Sequence, residues 1–277
     1  MEDASAVATL ASVFGPEPVD VLWAEREWTE PGFDLAADAR MTERAYISVW
    51  DGHGGKAWLD ALGEVDAELL AWGEARAREK GLVRALGSAW SGDELVKRTF
   101  ELAGYELIRH TWRMLIDLAD VREQPVWPDG IAVRTFRPGD EQTFYDAHQE
   151  TFADHWEFER NPYEEWAHWL LQPPIYDPEL WFLAEDEGEA AGFAVCHRIP
   201  EVADRGRVGL LGVRRPWRRR GLGRALLLHA FEAFAKQGLS EADLGVDAEN
   251  LTGATRLYES VGMHVSARRD IYEKPLA

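Results

Sequence analysis

Residues 207–236, RVGLLGVRRPWRRRGLGRALLLHAFEAFAK, restrict the possible folds more than any other stretch of the chain. An apolar, β-prone run leads into an arginine loop. The loop leads into a helical run that stays apolar on nearly every side until Glu232 and Lys236. Such a helix must pack into a core, so strand, loop and helix are one rigid piece of a layered α/β protein. The neighbouring segments alternate likewise. IAVRTFRPGD reads as a strand that stops at Pro138-Gly139, DEQTFYDAHQETFADHW as a helix, and NPYEEWAHWLL as a second helix with Pro162 at its first turn. LWFLAED and AAGFAVCHRI flank the acidic turn Glu187-Gly188-Glu189 as a hairpin. A strand near 242–247, a helix over 251–260 and a last strand near 263–272 complete the pattern. The fold class expected is α/β, of the α+β kind with a mixed sheet.

Prolines, a glycine and charges interrupt the periodicity at DVREQPVWPDG, residues 120–130. This sets a first domain at 1–125 and a second at 130–277. The halves share a pattern. Setting REKGLVRALGSAWSGDELVKRTFELAGY beneath AKQGLSEADLGVDAENLTGATRLYESVGM pairs Gly81 with Gly238 and Gly104 with Gly262. Both stretches run helix, Gly-Leu, strand, polar turn, helix, Gly, strand, so the first half reads as a damaged copy of the second.

Composition narrows the function. A hydrophobic fraction of 46% rules out global disorder. The net charge of -20 argues against nucleic acid, whose phosphates need a broad basic surface. The arginine cluster is a local exception, suited to a compact anion, although a solvated arginine-rich turn has the same composition. No apolar run reaches the roughly 18 residues of a membrane helix, and MEDASAVATL lacks the basic start of a signal peptide. Cys196 is the single cysteine, which excludes an intramolecular disulfide and a cysteine-rich zinc site. A cytoplasmic monomer or homodimer without metal, membrane or nucleic-acid partner is expected.

The order strand, Arg218-Arg219-Arg220-Gly221-Leu222-Gly223, helix has a chemical meaning. A helix N-terminus exposes unpaired N–H groups and the positive end of the helix dipole. Glycines there let phosphate oxygens approach the backbone. Each charged hydrogen bond from a flanking arginine adds roughly 1.5–3 kcal/mol. The loop is therefore a diphosphate cradle. It is not a P-loop, since no Gly-Lys-Ser/Thr follows. Nor is it the dinucleotide fingerprint, since Leu226 occupies the third glycine position. Gly209 and Gly212 mark a bulge or a close backbone approach in the preceding strand, or merely two weak spots in a buried one. Leu251, Ala254, Leu257, Tyr258 and Val261 recur at helical spacing, which turns Tyr258 inward, and Asn250 stands at that helix's start, able to cap it or meet a ligand. His229, inside the apolar helix, reads as a packed histidine.

With Arg218-x-x-Gly221-x-Gly223 after LLGV, then Asn250 and LYESVGM, the chain resembles the GCN5-related N-acetyltransferases (GNAT) over roughly 131–273. The resemblance implies a mixed sheet opened between its fourth and fifth strands, with acetyl-coenzyme A (acetyl-CoA) in the gap. It implies that the strand around Leu211, Gly212 and Val213 offers backbone groups to pantetheine. Arg218, Arg219, Arg220, Gly221, Leu222, Gly223 and Arg224 would bind the diphosphate, and Asn250 would contact the cofactor arm. Tyr258 would protonate the leaving thiolate. A phenol near pKa 10 and a thiol near 8.5 make that transfer feasible.

The two-copy layout is similar to the tandem-domain branch of the family, the mycothiol synthase relatives, and implies two GNAT domains, the first degenerate and truncated. In those synthases an acid is proposed to assist deprotonation, and Arg207 stands at the matching position, which points to another acceptor. In the first half Glu64 aligns with Gly221, Asp66 with Gly223 and Phe100 with Tyr258, so neither phosphate binding nor proton donation is expected there. The family places the acceptor along TFADHWEFERNPYEEWAHWLL, which makes His155, Trp156 and Glu157 acceptor-binding candidates, beside Asp154, Trp166, His168 and Trp169. These aromatics equally suit a core. Base candidates are His155, Glu157, His197, Glu201 and Asp247. The function expected is acetyl transfer to the primary amine of a small molecule. The alternatives are a protein or peptide N-acetyltransferase and a non-catalytic acyl-CoA sensor.

Overall fold

The computed structural model describes residues 2–14, 21–173, 175–199, 202, 204–250 and 253–276. Turn chemistry sets most of the element boundaries. The first half runs α1 (Glu2–Phe14), α2 (Val21–Trp28), α3 (Leu35–Asp38), β1 (Ala39–Met41), β2 (Ala45–Asp51), β3 (Lys56–Gly63), α4 (Ala67–Glu79), β4 (Arg84–Trp90), α5 (Glu94–Leu102) and β5 (Glu106–Asp117). The second half runs β6 (Ile131–Thr135), α6 (Glu141–Phe152), α7 (Tyr163–Leu170), β7 (Trp181–Asp186), β8 (Glu189–Arg198), β9 (Arg205–Val213), α8 (Leu222–Lys236), β10 (Glu241–Asp247), α9 (Ala254–Ser260) and β11 (His264–Pro275). The β7–β8 hairpin turns at Glu187 and Gly188, both left-handed with φ of 49° and 85°. The helix expected over 251–260 starts at Ala254, and Leu251 lies outside the described residues. The last strand is longer than expected and reaches Pro275.

The repeat seen in the sequence is a repeat of helix endings. After α4, Gly81 N–H bonds Arg78 O and Leu82 N–H bonds Ala77 O; after α8, Gly238 and Leu239 bond Ala235 O and Phe234 O. After α5 and α9 the same two bonds come from Gly104 and Tyr105, and from Gly262 and Met263. All four helices end in this left-handed cap, which glycine alone adopts without strain.

The chain forms two compact units that are not consecutive stretches: Met1–Trp112, Asp247–Glu249 and Ala267–Ala277 in the first, Arg113–Val246 and Asn250–Ser266 in the second. In the first unit β1–β2 and β2–β3 pair antiparallel, and β3–β4 pair parallel. The far edge of β4 is closed by the chain's last strand, with Arg269 to Pro275 antiparallel to Trp90 to Arg84. Tyr272 of β11 is 1% exposed and stacks on Phe100 at 5.5 Å, in one core with Ile47, Leu59, Leu70 and Val96. Burial of these rings fixes the strand there.

In the second unit β6, β7, β8 and β9 form an antiparallel run, and β10 lies parallel to β9. One face is packed by Phe136, Phe144, Trp166, Trp181, Phe193 and Val195 beneath α6 and α7. Trp166 is thereby a core residue, 2% exposed. α8 buries Leu222, Ala225, Leu226, Leu228, Phe231 and Phe234, as its all-round apolar sequence requires. Phe234 fits against Gly206, where any Cβ would lie 2.5 Å from the ring. Among the described residues no helix is long and apolar enough to cross a membrane.

Candidate active site

β9 and β10 separate partway along their length. Their pairing runs from Arg205–Glu241 to Val208–Leu244 and ends there, although β9 continues to Val213 and β10 to Asp247. The cause is local. The β8–β9 register jumps from Val195–Leu210 to Cys196–Val208, which leaves Gly209 as a bulge residue. A bulge bends and twists its strand, so Leu210 to Val213 pair with β8 on one side, while the pairing with β10 stops at Val208. This is the opening that the two strand glycines suggested. Gly212 packs so close to α6 that a Cβ there would lie 2.6 Å from Thr151 Oγ1 and 2.5 Å from Phe193.

The arginine loop connects the open strand to α8. Gly221 caps α8 in a left-handed conformation, φ 87°, and no side chain bonds the helix start. Ala225 N–H is the first to find a helical carbonyl, that of Gly221 at 3.0 Å. The N–H groups of Leu222, Gly223 and Arg224 are thus left for a ligand, at the positive end of the helix dipole. A Cβ built on Gly223 would rest 3.5 Å from Val213 Cγ2 and 3.6 Å from Leu257 Cδ2. The end of β9, the start of α8 and helix α9 therefore converge on Gly223.

The arginines divide by role. Arg218 turns inward: its Nε donates to Val213 O at 3.0 Å and its Nη1 to Asp154 at 3.0 Å. Arg215 bonds the same carboxylate at 2.7 Å, and these two guanidinium groups hold the Asp154 carboxyl below its ordinary range. Arg218 therefore braces the loop against α6, and it occupies the carbonyl of Val213. Arg214 is fixed by Glu150 at 2.6 Å. Arg224 pairs with Glu123 at 2.7 Å, and Arg220 reaches the Asp129 carbonyl at 3.4 Å. Arg219 is exposed, with a left-handed φ of 60°, and no ion pair holds it among the described residues. Nothing in the local residue pattern separates these bracing arginines from the exposed one.

Tyr258 sits on α9, 8% exposed, and burial pushes its phenol up to about 12. Asn250 Oδ1 accepts the Ala254 N–H at 3.5 Å, so it lies at the start of α9 as its position suggested. On the α6 side, His155 packs on Phe152 with ring centroids 4.3 Å apart, and Trp156 and Glu157 follow in a turn where Glu157 has a φ of 57°. His148, absent from the sequence candidates, lies between Phe152, Phe158 and Phe193. Its Nδ1 is buried without a hydrogen-bond partner among the described residues, and burial, with a smaller push from His155, lowers it to about 4. A histidine at the apolar spacing of α6 gave no signal apart from core packing.

The base candidates separate too. Asp247 is clamped by Arg109 at 2.8 and 2.6 Å in the first unit, and Glu201 lies outside the described residues. His197 is 9% exposed and stands opposite Arg207. Arg207 itself grips the fully buried Asp243 through Nε and Nη2, both at 2.7 Å. No group of His, Cys, Asp and Glu among the described residues could hold a metal ion.

Known proteins share this architecture. Residues 141–263 match the acetyltransferase (GNAT) family. A mycothiol acetyltransferase of Thermobispora bispora is 33% identical over 242 residues, 78% of this chain and 79% of that protein. The crystal structure of a GCN5-related N-acetyltransferase from Sphaerobacter thermophilus is 30% identical with a TM-score of 0.76, covering 99% of this chain and 91% of that one. A tandem GNAT protein from the clavulanic acid biosynthesis pathway has the same fold, with a TM-score of 0.74 at 14% identity over 100% of this chain and 95% of that one.

Proposed function

The chain belongs to the acetyltransferase (GNAT) family and is an N-acetyltransferase; from that premise we propose that its second unit moves an acetyl group from acetyl-CoA directly to the primary amine of a small molecule. The observation that carries this is the opening of β9 from β10 beside the uncapped start of α8. An extended thiol-bearing arm fits an unpaired strand edge, and a diphosphate fits free N–H groups at a helix start. Leu222, Gly223 and Arg224 would hold the diphosphate by backbone, with Arg219 and Arg220 at the rim. Leu211, Gly212 and Val213 would flank the pantetheine arm, and Asn250 would contact it. When bound, acetyl-CoA supplies the acetyl group as a thioester and departs as a thiol.

Tyr258 Oη is the proton donor in this reading. A phenol near 12 facing a free thiol near 8.5 would be a poor match. Burial, however, raises thiols as well: the enclosed Cys196 thiol is pushed up strongly by desolvation. In a dry cleft the two groups move together, so transfer stays within reach. His155, Trp156 and Glu157 would line the acceptor. Arg207 is committed to Asp243 and takes no proton, which favours an acceptor that arrives as a neutral amine. The first unit, read as a degenerate copy, takes no cofactor.

A thiol-release assay with acetyl-CoA against a panel of small amines and peptides tests the reading. Turnover with amines supports it. Turnover with peptides alone replaces the acceptor, and coenzyme A binding without turnover replaces the enzyme by a sensor.

A further inference from the structure

His148, Thr151 and Phe152 share one face of α6. That face meets the open part of β9. A Cβ on Gly212 would lie 2.6 Å from Thr151 Oγ1 and 2.5 Å from Phe193, and the Phe193 ring centroid is 6.4 Å from that of His148. One side chain therefore separates the imidazole from the strand edge to which the acetyl-transfer reading assigns the thioester arm. Phe152, Phe158 and Phe193 surround the imidazole, all T-shaped to it, at 4.5, 6.3 and 6.4 Å. Nδ1 is buried among them, and neither ring nitrogen has a hydrogen-bond partner among the described residues. The residue is partly exposed, so with Nδ1 inside it is Nε2 that is left outward. A phenylalanine would fill this aromatic cluster at no polar cost, whereas an unpaired buried nitrogen costs about 1–3 kcal/mol. Aromatic surroundings accept an N–H more readily than a lone pair, which puts the ring proton on Nδ1 and the lone pair on Nε2.

We propose that His148 is a further catalytic residue of the second unit, whose Nε2 takes the proton that the acceptor amine loses as it is acetylated. The role rests on the acetyl-transfer reading. Amide formation releases one proton from the acceptor nitrogen, and Arg207 of β9, committed to Asp243, does not take it. The step balances. The amine nitrogen bonds the acetyl carbon, the carbon–sulfur bond breaks, one N–H proton passes to His148 Nε2, and Tyr258 protonates the departing sulfur. His148 then gives its proton to solvent, and Tyr258 regains one. Burial, with a smaller push from the charge of His155, keeps the imidazole unprotonated down to about pH 4. It is therefore ready to accept at neutral pH, and it surrenders the proton readily afterwards.

The test compares the full chain with His148→Gln and His148→Phe. Thiol release from acetyl-CoA is measured with methylamine, ethanolamine, benzylamine and putrescine, beside coenzyme A calorimetry and thermal unfolding. Glutamine keeps a hydrogen-bonding side chain that carries no proton, and phenylalanine completes the aromatic cluster. With the acceptor that the wild-type chain uses best, kcat should fall about 100-fold or more in both variants, the range for a positioned base. Coenzyme A affinity should be unchanged. The Tm of His148→Phe should be kept or raised, because that change removes the unpaired nitrogen. Turnover retained by either variant overturns the proton role. So does a His148→Phe chain with a lowered Tm or a lost coenzyme A affinity, the mark of a residue held for packing. A wild-type chain that acetylates none of these amines overturns the small-amine reading, and this role with it.

Discussion

α8 begins at Gly221 with no side chain on its free N–H groups, whereas α4 begins at Asp66, whose carboxylate accepts the Leu69 N–H at 2.8 Å. Residues 214–220 separate β9 from the cap of α8, but only residues 64 and 65 separate β3 from the cap of α4. The first unit therefore lacks the loop as well as the vacancy. By cap position Asp66 stands where Gly221 does, two residues from the alignment drawn on sequence alone. The sheet opens in both places: β3–β4 pairing ends at Leu59–Gly87, much as β9–β10 pairing ends at Val208–Leu244. In the first unit the space is filled. The Phe100 ring lies where a Cβ on Gly87 would be, at 2.2 Å, and Thr99 Oγ1 ties α5 to Val65 O at 2.9 Å. A parted sheet alone does not make a nucleotide site; the helix start must be left unpaired and the gap unfilled.

Four variants sharpen that contrast. Replacing Tyr258 by Phe should lower kcat by roughly 10²–10⁴, the range for a positioned acid, with coenzyme A affinity retained; stopped-flow turnover beside calorimetry reads both. Unchanged turnover would remove Tyr258 from the chemistry. Tyr272→Ala should destabilise the first unit by about 3–5 kcal/mol, since the buried ring packs on Phe100 far from it in sequence. Denaturant unfolding checks this, and a shift confined to the second unit would refute the strand assignment. Gly223→Ala should weaken coenzyme A binding about tenfold, roughly 1.4 kcal/mol, with thermal stability kept, because the added methyl meets only ordinary contacts with Val213 and Leu257. Asp66→Ala, at the matching helix start, should do the reverse. It should cost about 1 kcal/mol of stability and leave coenzyme A affinity alone, and an effect on affinity would put cofactor at α4. Calorimetric stoichiometry of one coenzyme A per chain completes the contrast.

The pH profile tests Tyr258 separately. Its raised phenol stays protonated, hence able to donate, at all pH values below about 12. The rate should then climb with pH as the acceptor amine loses its proton, and should not fall through the ordinary tyrosine range. A descending limb near 10 would contradict the burial.

Local chemistry alone settled much of this protein. The alternation of elements, the four glycine-ended helices, the acidic turn between β7 and β8, the bulge around Gly209 and the uncapped start of α8 all depend on a few adjacent residues. Their backbone preferences act over one or two turns. Three things needed the folded chain. Arg218 and Arg219 are indistinguishable in sequence, and only packing against α6 turns one into a brace for Val213 and Asp154. His148 looks like a core residue until its Nδ1 is found without a partner among the described residues. The last strand closes the sheet of the first unit because its aromatic and charged side chains find partners there, and no local preference encodes a pairing between residues nearly two hundred positions apart.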